Sequence, residues 1–171
     1  APEPSCTLLA EAGFVGFSPI RRQTRPLVGH LDDVMAAVDY VKNLAYVDPG
    51  RLGIMGFSRG AMLTYLAATE RRDFKAVIIM GAAVHRALDL SKAGATSAPV
   101  LLLVAENDTG SHRTLDRNTH AGTLRLNRAL KAAGKDARLI VYPPYGDDGH
   151  MLFFTIEDYW DDVIAFLKRH V

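Results

Sequence analysis

This chain predicts an α/β fold: a mostly parallel sheet of about five strands flanked by helices, in a single domain covering residues 1–171. Three observations carry that expectation. Five apolar runs rich in β-branched residues are nearly continuous rather than alternating, as strands buried on both faces are. Helical patterns fall between them, and alternation of strand and helix argues for parallel strands joined by crossovers. Between the second run and the helical pattern after it lies Gly56-Phe57-Ser58-Arg59-Gly60, a sharp strand-to-helix turn.

The five runs are Phe14 to Phe17, Leu52 to Met55, Ala76 to Met80, Val100 to Val104 and Arg138 to Tyr142. Asp32 to Leu44 carries Val34, Val38, Val41 and Leu44 at helical spacing, and Asp48-Pro49-Gly50 then turns the chain toward the next strand. Ser58 to Arg71 is the helix behind the sharp turn. Thr119 to Ala133 carries Leu124, Leu126 and Leu130, with Gly134 as its stop. Glu157 to Lys168 is a last amphipathic helix with Trp160, Val163, Ile164 and Leu167. Residues 106–120 form the longest polar connection, and such loops often carry chemistry.

Composition narrows the function classes. Twenty basic and nineteen acidic residues nearly cancel, which gives no electrostatic reason to expect nucleic acid or an anionic membrane as a partner. No apolar stretch approaches the length of a membrane span. The six histidines do not cluster at metal-ligand spacing and Cys6 is the only cysteine, so neither a metal nor a cofactor nor a disulfide framework is expected. The opening Ala1-Pro2-Glu3-Pro4 shows no secretory signal. The sequence leaves the compartment open: cytoplasmic, or secreted or periplasmic if an upstream leader has been removed.

The Gly-x-Ser-x-Gly turn reads as a nucleophile elbow. Such a turn strains its central residue and holds the serine hydroxyl out at the carboxyl end of the sheet, where open α/β sheets bind ligands. Glycines two before and two after the serine are expected to remove clashing side chains. The bland alternative is a structural Gly-rich turn. A serine hydroxyl needs a general base, and histidine oriented by a carboxylate is the usual one. The acid candidate is Asp108, just beyond the fourth run, with Glu106 and Asp116 as alternatives. The base candidate is His150, in the loop after the last run, set against the reading of an exposed loop histidine. His30, His112, His120 and His170 read as surface residues, and His85, after the third run, could line a pocket mouth. Substrate-contacting candidates are Arg21, Arg22, His85 and Tyr145; the arginines and His85 would suit an anionic group.

With these residues in place, the chain resembles the α/β-hydrolase superfamily, in particular the dienelactone-hydrolase-like esterases and the catalytic domains of prolyl-oligopeptidase-type peptidases. Ala10 to Phe14, the turn Pro19-Ile20-Arg21-Arg22, Asp32 to Val41 and above all Val47 to Gly60 carry the likeness, together with Glu106-Asn107-Asp108 and Gly149-His150. The resemblance implies a Ser58, Asp108 and His150 triad, with the Arg59 amide as one oxyanion donor. It implies a small-molecule ester as substrate; a peptidase or amidase, or a catalytically weak remnant serving as a binding scaffold, are the other readings. The dienelactone hydrolases proper carry cysteine where this chain has Ser58, which moves the expectation toward ordinary esters. The family's early strands and its His-Gly-Gly-type oxyanion loop have no counterpart here, so the fold is expected to be truncated or minimal. In the family a strand lies between the first and second runs named above. Without it those two must pair directly or the gap must be filled. The sheet edges so exposed favour self-association, and a homodimer is expected.

Overall fold

The computed structural model describes residues 3–84 and 88–171. Four strands run in chain order, β1 (Leu52–Phe57), β2 (Phe74–Met80), β3 (Val100–Ala105) and β4 (Ala137–Tyr142), and every neighbouring pair is parallel. The helices are α1 (Glu3–Glu11), α2 (His30–Lys42), α3 (Arg59–Glu70), α4 (Thr119–Ala132) and α5 (Tyr159–His170). Parallel strands need crossovers, which α3 supplies between β1 and β2 and α4 between β3 and β4.

Period-two alternation sorts the strand side chains into two cores. Val77, Ile79, Val100 and Leu102 face one layer, with Tyr65 of α3, Leu126 and Leu130 of α4, and Val34 and Val38 of α2. Ala76, Ile78, Met80, Leu101 and Leu103 face the other, with Trp160, Val163 and Phe166 of α5 and Leu8 and Leu9 of α1. Residues at i and i+2 point the same way on a strand, so two apolar layers require the unbroken apolar runs seen in β2 and β3.

One expected strand is absent among the described residues. Phe14 to Phe17 forms no strand and pairs with no other segment, so the sheet has four strands rather than about five. The physical reason is the absence of a neighbour. A strand is a ladder of inter-strand hydrogen bonds, and between this segment and β1 lies an open slot of about 580 Å³. Phe14, Val15 and Phe17 line one side of it, and Leu52, Gly53, Ile54, Met55 and Gly56 of β1 the other. Among the described residues the two segments do not pair, and none of those residues forms a strand between them. Phe17 packs its ring on Tyr40 of α2, with centroids 5.6 Å apart.

Outside the core, Asp73 before β2 takes charged hydrogen bonds from Lys42 of α2 at 2.7 Å and from Arg71 at 2.8 Å, and Arg71 also reaches Asp39 at 2.7 Å. The Arg71 and Lys42 hydrogen bonds outweigh desolvation and hold the Asp73 carboxyl well below the usual carboxylate range. A depressed folded pKa means that its stabilisation is present above the unfolded value near 4 and is lost as pH falls toward the folded one. Asp73→Asn is expected to cost up to about 1 kcal/mol at neutral pH, because the cluster is largely solvent-screened. Urea denaturation of both proteins should show that difference shrinking as pH drops below about 4.

Candidate active site

Three loops leave the carboxyl ends of β1, β3 and β4 at one rim of the sheet. The first carries Ser58. Its amide donates to the Met80 carbonyl at 2.9 Å, extending the β1–β2 ladder by one bond, and α3 starts at the next residue. Ser58 has φ 55° and ψ −112°, a conformation that costs a non-glycine residue roughly 1–3 kcal/mol. The turn is as tight as an elbow requires. A Cβ on Gly56 would stand 2.3 Å from the Gly60 carbonyl oxygen and 2.5 Å from Thr64 Oγ1. Gly60 differs from the sequence expectation, since a Cβ there meets nothing within 4 Å. Only the glycine before the serine is sterically required; the one after it supplies the backbone that the first must clear.

The second loop carries Asp108. Its amide donates to the Ala105 carbonyl at 3.2 Å, and its own carbonyl accepts from the His120 amide at 2.8 Å and the Thr119 hydroxyl at 3.2 Å. The start of α4 thus pins it in place. The third loop carries His150 in a 3-10 turn, Gly149–Phe154, capped by Asp148, whose Oδ1 accepts from the His150 amide at 3.0 Å. Asn107 clamps this loop to the second one. Its Oδ1 accepts from the Tyr145 amide at 2.9 Å and its Nδ2 donates to the Gly146 carbonyl at 3.0 Å. The approach is so close that a Cβ on Gly149 would lie 2.5 Å from Asn107 Oδ1 and 2.6 Å from the Asp108 amide. Gly149 therefore makes room for the Asn107 side chain and the neighbouring backbone of Asn107 and Asp108.

These loops join three side chains far apart in sequence. His150 Nδ1 lies 2.8 Å from Asp108 Oδ2, and His150 Nε2 lies 3.0 Å from Ser58 Oγ. The His150 and Asp108 side chains are 1% and 0% exposed, so their interaction is shielded from water. With Nδ1–H donating to the carboxylate, Nε2 is left as the acceptor for the serine proton. Glu106 and Asp116, the other acid candidates, are both exposed. The imidazole packs on Phe57, with centroids 4.6 Å apart. Arg59 opens α3, whose first-turn amides have no partner within the helix, so the positive end of the helix dipole lies beside the serine.

The remaining sequence candidates fall in varied places. Arg21 lines the slot beside β1; burial, then repulsion from Arg59, hold its guanidinium below the usual arginine range. Its Nη1 is buried with no partner among the described residues. Arg22 is taken up by Asp33 of α2, its Nε donating at 2.7 Å and its amide at 2.9 Å. The Tyr145 hydroxyl donates to Glu157 at 2.9 Å, tying the loop to the segment before α5. His85 lies outside the described residues. His30, expected at the surface, is buried: its Nδ1 accepts from the Leu27 amide at 3.3 Å and its Nε2 faces the Thr24 hydroxyl at 3.1 Å. It organises the turn into α2. Asn107 and Phe57 are parts of the site that sequence reasoning missed. Only their places at strand ends, next to Asp108 and Ser58, could have singled them out. No three His, Cys, Asp or Glu side chains among the described residues are grouped to hold a metal ion. No helix among them is long and apolar enough to cross a membrane.

A parallel sheet with helices on both faces, and a strained serine, a histidine and an aspartate at one rim, define the α/β-hydrolase class. Comparison with solved structures agrees. An esterase of Pyrococcus furiosus, Pf2001, superposes with a TM-score of 0.75 at 17% identity, over 98% of this chain and 76% of that one. An acylaminoacyl peptidase of Pyrococcus horikoshii does so with 0.67 at 19% identity, over 85% of this chain and 28% of the other. Within that class the chain belongs to the dienelactone hydrolase family, which matches residues 17–170. A protein of Methylorubrum extorquens named "Putative carboxymethylenebutenolidase" is 32% identical over 128 residues, 70% of this chain. The chain spans about two fifths of that relative's length, 41%.

Proposed function

We propose that this chain carries the catalytic centre of a serine hydrolase acting on small carboxylic esters. The observation that supports it is the continuous line Asp108 Oδ2, His150 Nδ1, His150 Nε2, Ser58 Oγ, with separations of 2.8 and 3.0 Å at its two hydrogen bonds. In this reading His150 Nε2 accepts the Ser58 proton as Oγ attacks the acyl carbonyl. The negative charge that develops on the carbonyl oxygen is met by the Arg59 amide and the α3 dipole. The imidazolium, stabilised by Asp108, returns its proton to the leaving alcohol oxygen, and the acyl group stays on Ser58. Water, deprotonated by the same imidazole, attacks the acyl-enzyme, and the proton goes back to Ser58 as the acid departs. A cyclic ester, as the relative's name implies for that protein, opens by the same steps with the leaving alcohol still tethered.

A fluorophosphonate probe tests the reading without knowledge of the substrate. One equivalent should attach covalently, with peptide mapping placing it on Ser58. An unlabelled but folded protein would sink the proposal and leave the binding-scaffold reading in its place. Turnover of p-nitrophenyl acetate against the matching anilide separates esterase from amidase.

A further inference from the structure

The turn that carries His150 ends on an aromatic ring facing water. Phe154 is 56% exposed, whereas its neighbour Phe153 is 7% exposed and packs in the core below. Ile156, two residues further on, is 41% exposed. Burying an aromatic ring is favourable, so an exposed one leaves part of that stabilisation unused. Scattered exposed apolar residues are ordinary, but this one stands beside the reacting group. Its ring meets Phe57 edge-on with centroids 5.2 Å apart, and the His150 imidazole edge-on at 6.2 Å. Phe57, His150 and Phe154 thus form one aromatic corner, and Phe154 is its wet member.

The direction of proton transfer says which part of a substrate meets that corner. This step rests on the hydrolase reading above. The imidazole must deliver its proton to the leaving alcohol oxygen, so that oxygen comes within hydrogen-bond reach of Nε2. The acyl oxygen points the other way, to the start of α3. The substituent on the leaving oxygen therefore runs along the imidazole side of the site, where the open ring is. We infer that Phe154 is a specificity-determining residue that receives an aromatic or bulky apolar alcohol portion of the ester. Stacking on a ring already fixed against Phe57 adds attraction beyond area alone.

Benzyl and ethyl acetate share an acyl group and have leaving alcohols of similar acidity, so a difference between them reports on the alcohol pocket. Both are assayed by pH-stat with the full chain, its Phe154→Ala variant and its Phe154→Leu variant. Phe154→Ala should lower kcat/KM for benzyl acetate about tenfold, chiefly through KM. That fall should be at least about fivefold larger than the fall for ethyl acetate, and Phe154→Leu should recover part of it. Equal falls for the two esters would mean that the ring merely shields His150, and would overturn the assignment. A second readout does not need turnover. Binding of benzyl acetate to the Ser58→Ala protein, followed by saturation-transfer NMR, should weaken severalfold when Phe154→Ala is added. Absence of binding, or equal binding by the two variants, also overturns it. Were the parent chain to hydrolyse neither ester, the hydrolase reading would fail on its own, and the binding comparison would still decide the role of the ring.

Discussion

Ser58→Ala should lower kcat for p-nitrophenyl acetate by about 10⁶-fold, the scale on which loss of the nucleophile acts in serine hydrolases of this mechanism. The substitution removes an oxygen from a half-buried position and leaves the strained backbone in place, so the fold should survive with an unchanged circular dichroism spectrum. Asp108→Asn is the graded companion. The amide keeps the shape of the side chain but can present a donor to Nδ1, favouring the wrong imidazole tautomer and leaving the imidazolium without its counter-charge. A loss of about 10⁴-fold is the expected scale. The double variant should be no slower than Ser58→Ala alone, because the two side chains act as one unit. An Ser58→Ala rate equal to that of the parent would falsify the assignment of the nucleophile. Additive losses would show that Asp108 acts elsewhere.

The second large effect is steric. Gly56→Ala should destabilise the chain by at least about 3 kcal/mol, toward the upper end of overpacking costs and a large part of a domain's total stability. The added methyl would lie 2.3 Å from the Gly60 carbonyl oxygen. That oxygen belongs to the backbone of the first turn of α3, so it can yield only if the elbow opens. Opening the elbow moves Ser58 away from His150, and activity should fall together with stability. A lower urea midpoint, with slope unchanged, is the measurement. Gly60→Ala is the control. Its added methyl meets nothing and should cost no more than a few tenths of a kcal/mol beyond helix propensity, which favours alanine. Equal stability of the two variants would contradict the packing described for the turn.

Much of this was legible in the amino-acid order. The apolar runs behind β2 and β3 are continuous because both faces are buried, and the elbow announced itself because a strand, a Gly-x-Ser-x-Gly turn and a helix follow without a break. Position singled out Asp108 and His150, each just past a strand end on the serine's side of a parallel sheet, while leaving Glu106 and Asp116 open as the acid. Phe14 to Phe17 misled because a strand is a property of two segments: its local pattern is suitable, and the partner it needs is not beside it. His30 misled because burial depends on the turn that folds over it, which involves Thr24, Leu27 and the Arg22 carbonyl. Asn107 and Phe154 carry no pattern of their own. The Asn107 clamp and the contacts of Phe154 with Phe57 and His150 exist only once segments from different strands meet.

The unpaired rim of β1 ties folding to mass action. On the edge of β1 away from β2, Leu52 to Gly56 border a slot rather than a further strand, and whatever docks there in the native state and not in the unfolded one adds its binding free energy to that of folding. Where a second copy of the chain takes that role, the melting temperature climbs with protein concentration; where none does, it stays flat.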